Sequence, residues 1–165
     1  MSGVSGTVLV RDAVPDDLEA VVAIYQHEVD TGVATFETRA VDAEEWRAKI
    51  TGPEPMLVAE EDGTVLGVAY ASPYRARPAY DRTRETSVYL AAVGQGRGLG
   101  TALYDALLPR LRDGGFHTAL AMVALPNEAS VRLHERAGFE RVGVLREVGH
   151  KLGRVVDVAV LQLML

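Results

Sequence analysis

Gln95-Gly96-Arg97-Gly98-Leu99-Gly100 decides how this chain is read. Before it, residues 85–93 form an apolar, β-branched stretch that predicts a strand. After it, Leu99, Leu103, Ala106, Leu107 and Leu111 recur at helical spacing, and Gly114-Gly115 ends that helix. The context is therefore strand, glycine-rich loop, helix. Glycines allow close approach and positive φ, so several backbone N–H groups can converge on one spot. The first helical turn adds roughly half a positive charge. Such a turn suits phosphate, and Arg97 could add further charge. It is not a Rossmann fingerprint, because Thr101 stands where a third glycine would be. It is not a Walker A loop either, because no Gly-Lys-Ser/Thr follows. An ordinary turn into a helix would look the same at this level.

Working outward, residues 7–11 predict a first strand. Pro15, Asp16 and Asp17 suit a helix start, and Leu18, Val21, Val22, Tyr25 and Val29 give that helix one apolar face. Asp42 with Glu45 resembles a capping box for a short helix carrying Trp46 and Ile50, ended by Pro53 and Pro55. Residues 56–60 and 65–71 flank an Asp62-Gly63 turn, a hairpin signal. Residues 73–84, with two tyrosines and four arginines, read as a functional loop. Residues 117–125 predict a strand buried on both faces, residues 127–137 a helix closed by Gly138, and residues 140–150 and 155–163 two strands joined near Leu152-Gly153-Arg154. The order β-α-α-β-β-β-α-β-α-β-β implies an α/β (α+β) fold, a mixed sheet with helices on its faces.

Composition narrows the function. A chain of 165 residues, 48% hydrophobic, supports one domain, read as residues 7–165 after a flexible tail of residues 1–6. A net charge of −6 argues against general nucleic-acid binding. The absence of cysteine excludes thiol nucleophiles, disulfides and thiolate metal sites. His27, His117 and His150 lack metal-ligand spacing, so no metal is expected. No apolar run is long enough to span a membrane and no secretion signal opens the chain, so a cytoplasmic location is expected.

The glycine loop, followed by Asn127 and by Arg132-Leu133-His134-Glu135-Arg136-Ala137-Gly138-Phe139, resembles the GCN5-related N-acetyltransferase (GNAT) superfamily. Ala69-Tyr70-Ala71-Ser72-Pro73-Tyr74-Arg75-Ala76-Arg77, Glu85-Thr86-Ser87-Val88-Tyr89 and Leu125-Pro126-Asn127 are similar to its phosphinothricin and methionine sulfoximine branch. The resemblance implies a central mixed sheet that splays between its fourth and fifth strands to admit acetyl-CoA. It implies that Val88, Tyr89 and Leu90 pair with the pantetheine arm, that Gly96, Arg97, Gly98, Leu99, Gly100 and Thr101 hold the pyrophosphate, and that Asn127 contacts the reactive end. Tyr74, Arg75, Ala76, Glu85, Thr86 and Ser87 would line the acceptor pocket. A homodimer is also implied. Tyr74 and Val155 stand where this branch often carries tryptophan.

The implied reaction is direct acetyl transfer to a small amino-acid-like amine through a tetrahedral intermediate. Such an amine is mostly protonated at neutral pH and needs a base, for which Glu85 is the candidate, directly or through water. A backbone N–H of residues 88–90 could stabilise the oxyanion. His134 is the candidate proton donor to the leaving thiolate. Arg75 could bind an acceptor carboxylate, while Arg77, Arg82 and Arg84 read as solvent-facing. Asn127, after Pro126, is also a natural N-cap. Two other readings fit the same fold, an acetyl-CoA-binding module with little catalysis and a peptide or protein acetyltransferase.

Overall fold

Alternation along two neighbouring strands sets the layers of the molecule. A computed structural model describes residues 6–165, so most of the expected tail lies outside the described residues. Strands β2 (Met56–Glu61) and β3 (Thr64–Pro73) form the expected hairpin, with Asp62 and Gly63 both at positive φ (49° and 81°), as a type I′ turn needs. Successive residues of a strand point to opposite faces. Leu57 and Ala69 therefore enter one core, and Val58 and Val68 enter another.

The first core is covered by α3 (Leu99–Asp113) through Leu103, Tyr104, Leu107 and Leu111. The second is covered by α1 (Leu18–Thr31) and α2 (Ala43–Thr51) through Val21 and Trp46. With β1 (Val8–Asp12), β4 (Thr83–Leu90), β5 (Thr118–Leu125), α4 (Glu128–Arg136), β6 (Glu140–Lys151) and β7 (Arg154–Met164), the element order is the expected one. The seven-stranded sheet runs β1-β2-β3-β4-β5-β7-β6, with β4 and β5 parallel and the other pairs antiparallel.

The β4–β5 pairing covers only Thr83–Thr118, Arg84–Ala119 and Glu85–Leu120. Beyond Glu85 the two strands part, while β4 stays paired with β3 to Leu90 and β5 with β7 to Leu125. The sheet is thus splayed at the place the resemblance implies.

Several expectations shift. The strand expected over residues 85–93 is Thr83–Leu90, because Ala91 N–H turns to Leu66 O (2.9 Å) and Ala92–Gly94 form a 3₁₀ turn. β5 is not buried on both faces. Ala119, Ala121 and Val123 are in the core, whereas Leu120 and Met122 are half-buried, because one face of the strand looks into the splay. Asp42 caps α2 through Glu44 N–H (2.9 Å) and Glu45 N–H (3.4 Å), but the Glu45 carboxylate bonds Lys49 instead of closing a capping box. Arg84 is not solvent-facing. It pairs with Glu54 at 2.8 Å and lies 3.9 Å above the Phe116 ring. α3 continues through Pro109 because that residue is on its exposed side, where the freed carbonyl can be hydrated. Among the described residues, no helix is long and apolar enough to cross a membrane.

Leu103 is fully buried at the centre of the first core. Leu103→Ala is expected to lower stability by about 2–5 kcal/mol, the cost of lost burial plus a cavity, read as a reduced urea midpoint with an unchanged m value.

Candidate active site

Where β4 and β5 part, the chain forms a cavity of about 530 Å³ and, deeper at the fork, a second of about 50 Å³. Val88, Tyr89, Leu90, Gly96, Gly98, Leu99, Gly100, Thr101 and Asn127 line the larger one. Thr86, Ser87, Asn127 and His134 line the smaller one. The fold thus gathers residues scattered over some fifty positions.

Gly96 and Gly98 have φ of 71° and 79°, a conformation that side chains rarely adopt, and a Cβ at either would meet nothing within 4 Å. Gly98 precedes α3 without a capping side chain, so the N–H groups of the first turn point into the cleft with the positive end of the helix. Gly100 lies against Leu133, which seats α4 beside this turn. These groups fit a pyrophosphate. Arg97 does not line either cavity. Its guanidinium pairs with Glu61 on β2, which leaves backbone groups of Gly96 and Gly98 facing the larger cavity at this turn.

Glu85 is the last β4 residue paired to β5, and alternation puts it on the same face as Ser87 and Tyr89. That face carries the aromatic cluster in which the Tyr89 ring lies 5.0 Å from Tyr25 and 6.4 Å from Tyr70. Burial raises the Glu85 carboxyl pKa above its usual value. It also pushes the Tyr70 hydroxyl up to about 12.

On the other face, Thr86 bonds the Tyr104 hydroxyl (2.9 Å), which bonds His134 Nε2 (2.8 Å), while His134 Nδ1 is 2.7 Å from Ser130 O. Burial lowers the His134 pKa, the Ser130 bond opposing it, which favours the neutral ring. Nδ1–H then donates to the Ser130 carbonyl and Nε2 accepts from Tyr104. Thr86 Oγ1 also lies 3.4 Å from Leu120 O. If His134 gains a proton, Nε2–H can donate to Tyr104, Tyr104 to Thr86, and Thr86 to Leu120 O. The chain accommodates either charge state without orphaning a buried group. Asn127 Oδ1 accepts from Ser130 N–H at 3.1 Å, so it caps α4 while facing both cavities.

Tyr74, Arg75 and Ala76 are not brought into either cavity. They lie beyond the closed end of the fork, where Arg75 is 5.0 Å above the Tyr74 ring and Tyr74 packs edge-on to Tyr80 at 5.4 Å. Residues without a sequence-level role complete the walls. Ile24, His27 and Glu28 come from α1, Ala34 from the segment after it, and Arg132 and Arg136 from α4. Nothing local marks the α1 residues, since helical periodicity does not say what a polar face abuts. Tyr104 did carry a signal, because a tyrosine on an apolar helix face needs a partner for its hydroxyl. Among the described residues, no three His, Cys, Asp or Glu side chains cluster to hold a metal ion.

The family model for the Acetyltransferase (GNAT) family matches residues 21–139. The chain is 45% identical to a phosphinothricin N-acetyltransferase of Streptomyces coelicolor, over 92% of this chain and 93% of that one. It is 37% identical to an L-methionine sulfoximine/L-methionine sulfone acetyltransferase of Pseudomonas aeruginosa, over 93% and 92%. A solved phosphinothricin acetyltransferase of Sinorhizobium meliloti, in complex with acetyl-CoA, is 36% identical and superposes with a TM-score of 0.91 over 96% of this chain and 89% of that one.

Tyr104→Phe removes the hydroxyl that links Thr86 to His134 and leaves a buried acceptor unpaired. It is expected to cost about 1–3 kcal/mol in urea unfolding, although only one oxygen is lost.

Proposed function

We infer the activity from one fact: the chain belongs to the acetyltransferase (GNAT) family. It is proposed to transfer an acetyl group from acetyl-CoA to the amine of a small amino-acid-like acceptor of the phosphinothricin or methionine sulfoximine type. The observation that carries this is the fork, which sets a glycine turn and an unpaired strand edge around one opening, with the half-buried Glu85 at its closed end. The names of relatives that match over nine-tenths of the chain support the acceptor class.

Acetyl-CoA, when bound, supplies an activated acyl group. Gly96, Gly98, Leu99, Gly100 and Thr101 would hold its pyrophosphate. Val88, Tyr89 and Leu90 would offer backbone groups left free where β5 departs, and one N–H would face the carbonyl oxygen as it gains charge. Asn127 would meet the reactive end. Glu85 takes the proton from the acceptor ammonium, directly or through water, and its raised pKa makes it a stronger base than an ordinary glutamate. His134, neutral at rest, would take up the proton that the amine nitrogen releases as it is acylated and pass it to the leaving sulfur, since its hydrogen-bond chain tolerates both charge states. Thr86 and Ser87 shape the small cavity at the fork. Tyr74, Arg75 and Ala76 would reach the acceptor from the closed end, with Arg75 the group for a carboxylate.

The proposal includes a homodimer and a cytoplasmic location. Val142 (56% exposed), Val144 (41%) and Val148 (54%) stand on β6, the edge of the sheet, where an unpartnered apolar strand favours association with a second copy.

CoA release should be measured against phosphinothricin, methionine sulfoximine, methionine sulfone and ordinary amino acids. Turnover is expected with at least one, and none with any amino-acid analogue would sink the reading. Glu85→Gln is expected to lower kcat by about 10²–10⁴. In the wild type kcat should fall as pH drops through the raised Glu85 pKa, above the usual 4.5, because the protonated carboxyl is no base. The variant should lack that limb. Replacing Val144 and Val148 by Glu should turn a dimer into a monomer in sedimentation. A monomeric wild type at micromolar concentration would refute the dimer.

A further inference from the structure

Lys151 closes β6 and is only 5% exposed. Its ammonium donates to Thr35 O at 2.8 Å and to Glu28 O at 3.3 Å. Both partners are backbone carbonyls. A cation is costly to bury, and here carbonyl dipoles compensate it, one of them in the last turn of α1, where the helix end is negative. An apolar side chain could fill this space more cheaply, but it could not fix the direction of two carbonyls.

Those carbonyls flank the start of the segment between α1 and α2, the part that walls the site. Ala34 lines both cavities. Its N–H donates to the Glu28 carboxylate at 2.9 Å. Thr35 Oγ1 bonds the Tyr25 hydroxyl at 2.7 Å. The Phe36 ring lies on Gly149, where a Cβ would come within 2.2 Å of Phe36 Cζ. The segment has no helix or strand of its own, so contacts such as these set its position, with Val41 N–H adding one to Gln26 Oε1 at 2.8 Å. Two of them, at Gly149 and Lys151, come from the same end of β6, more than a hundred residues away in sequence.

We propose that Lys151 is a positioning residue that holds the Ala34 wall against the fork and so sets the fit of the acceptor. The proposal rests on the acetyltransferase reading above. Lys151 touches neither cavity and takes no part in proton transfer. Its effect passes through the Thr35 carbonyl to the adjacent Ala34.

The test compares wild type with Lys151→Met, which keeps the volume and removes the donors, and Lys151→Arg, which restores them. Two readouts are taken, hydrogen exchange of the amides of residues 33–36 and the steady-state constants for amine and acetyl-CoA. Lys151→Met is expected to exchange those amides about tenfold faster, with the sheet amides unchanged, and to raise the amine KM about tenfold with kcat within about threefold. Lys151→Arg should recover most of both. Unchanged exchange and unchanged KM in folded Lys151→Met would overturn the proposal. So would a variant that fails to fold, or one in which kcat and both KM values worsen together with global exchange, since either marks support of the whole fold. If the wild type acetylates no amine, the functional reading fails. The exchange measurement still decides whether Lys151 holds the segment.

Discussion

Three residue pairs hold β4 to β5, and then the strands part. The site follows from that limit. A strand that loses its neighbour leaves backbone N–H and C=O groups unpaired along one edge, and such groups need a partner. Among the described residues no strand inserts there, so an extended ligand can lie along β4 as a further strand would. Glu85 is the last residue of the closed end and lines neither cavity, and Thr86 is the first residue beyond it. The parting is stable because each arm is anchored elsewhere, β4 through β3 and β5 through β7.

The two cores make those arms rigid, and they divide the chemistry. The face under α3 and α4 carries the glycine cradle and the Thr86–Tyr104–His134 chain. The face under α1 and α2 carries Glu85, Ser87 and the tyrosine cluster. Burial biases the groups on both faces toward their neutral forms: it lowers the His134 pKa and raises those of Glu85, Tyr70 and Tyr104. A fork of this kind can accept a charged phosphate at its rim, on backbone dipoles, while its depth favours uncharged groups. That separation explains how a chain with net charge −6 can offer an anion cradle without a basic surface.

How much of this was legible depended on whether the cause was local. Gly96 and Gly98 announced a positive-φ turn into a helix, and Asn127 announced a cap, because each acts on backbone within a few residues. The Arg97–Glu61 pair was not legible, because Glu61 is 36 residues away on another strand. The half-buried face of β5 was misread because its composition is apolar throughout, and composition does not show that a sheet opens. The solvent-facing reading of Arg84 failed for a similar reason, since Glu54 and Phe116 come from separate elements.

The sequence by itself determined the order of elements, the hairpin turn, the positive-φ turn of the glycine loop into a helix and the family resemblance. These depend on periodicity, turn chemistry and short spacings, which are properties of neighbouring residues. Only the tertiary structure decided which face Glu85 shares, what satisfies the nitrogens of His134, and that Ala34 lines both cavities next to the Lys151–Thr35 contact. These depend on contacts across thirty to more than a hundred residues, which packing alone creates.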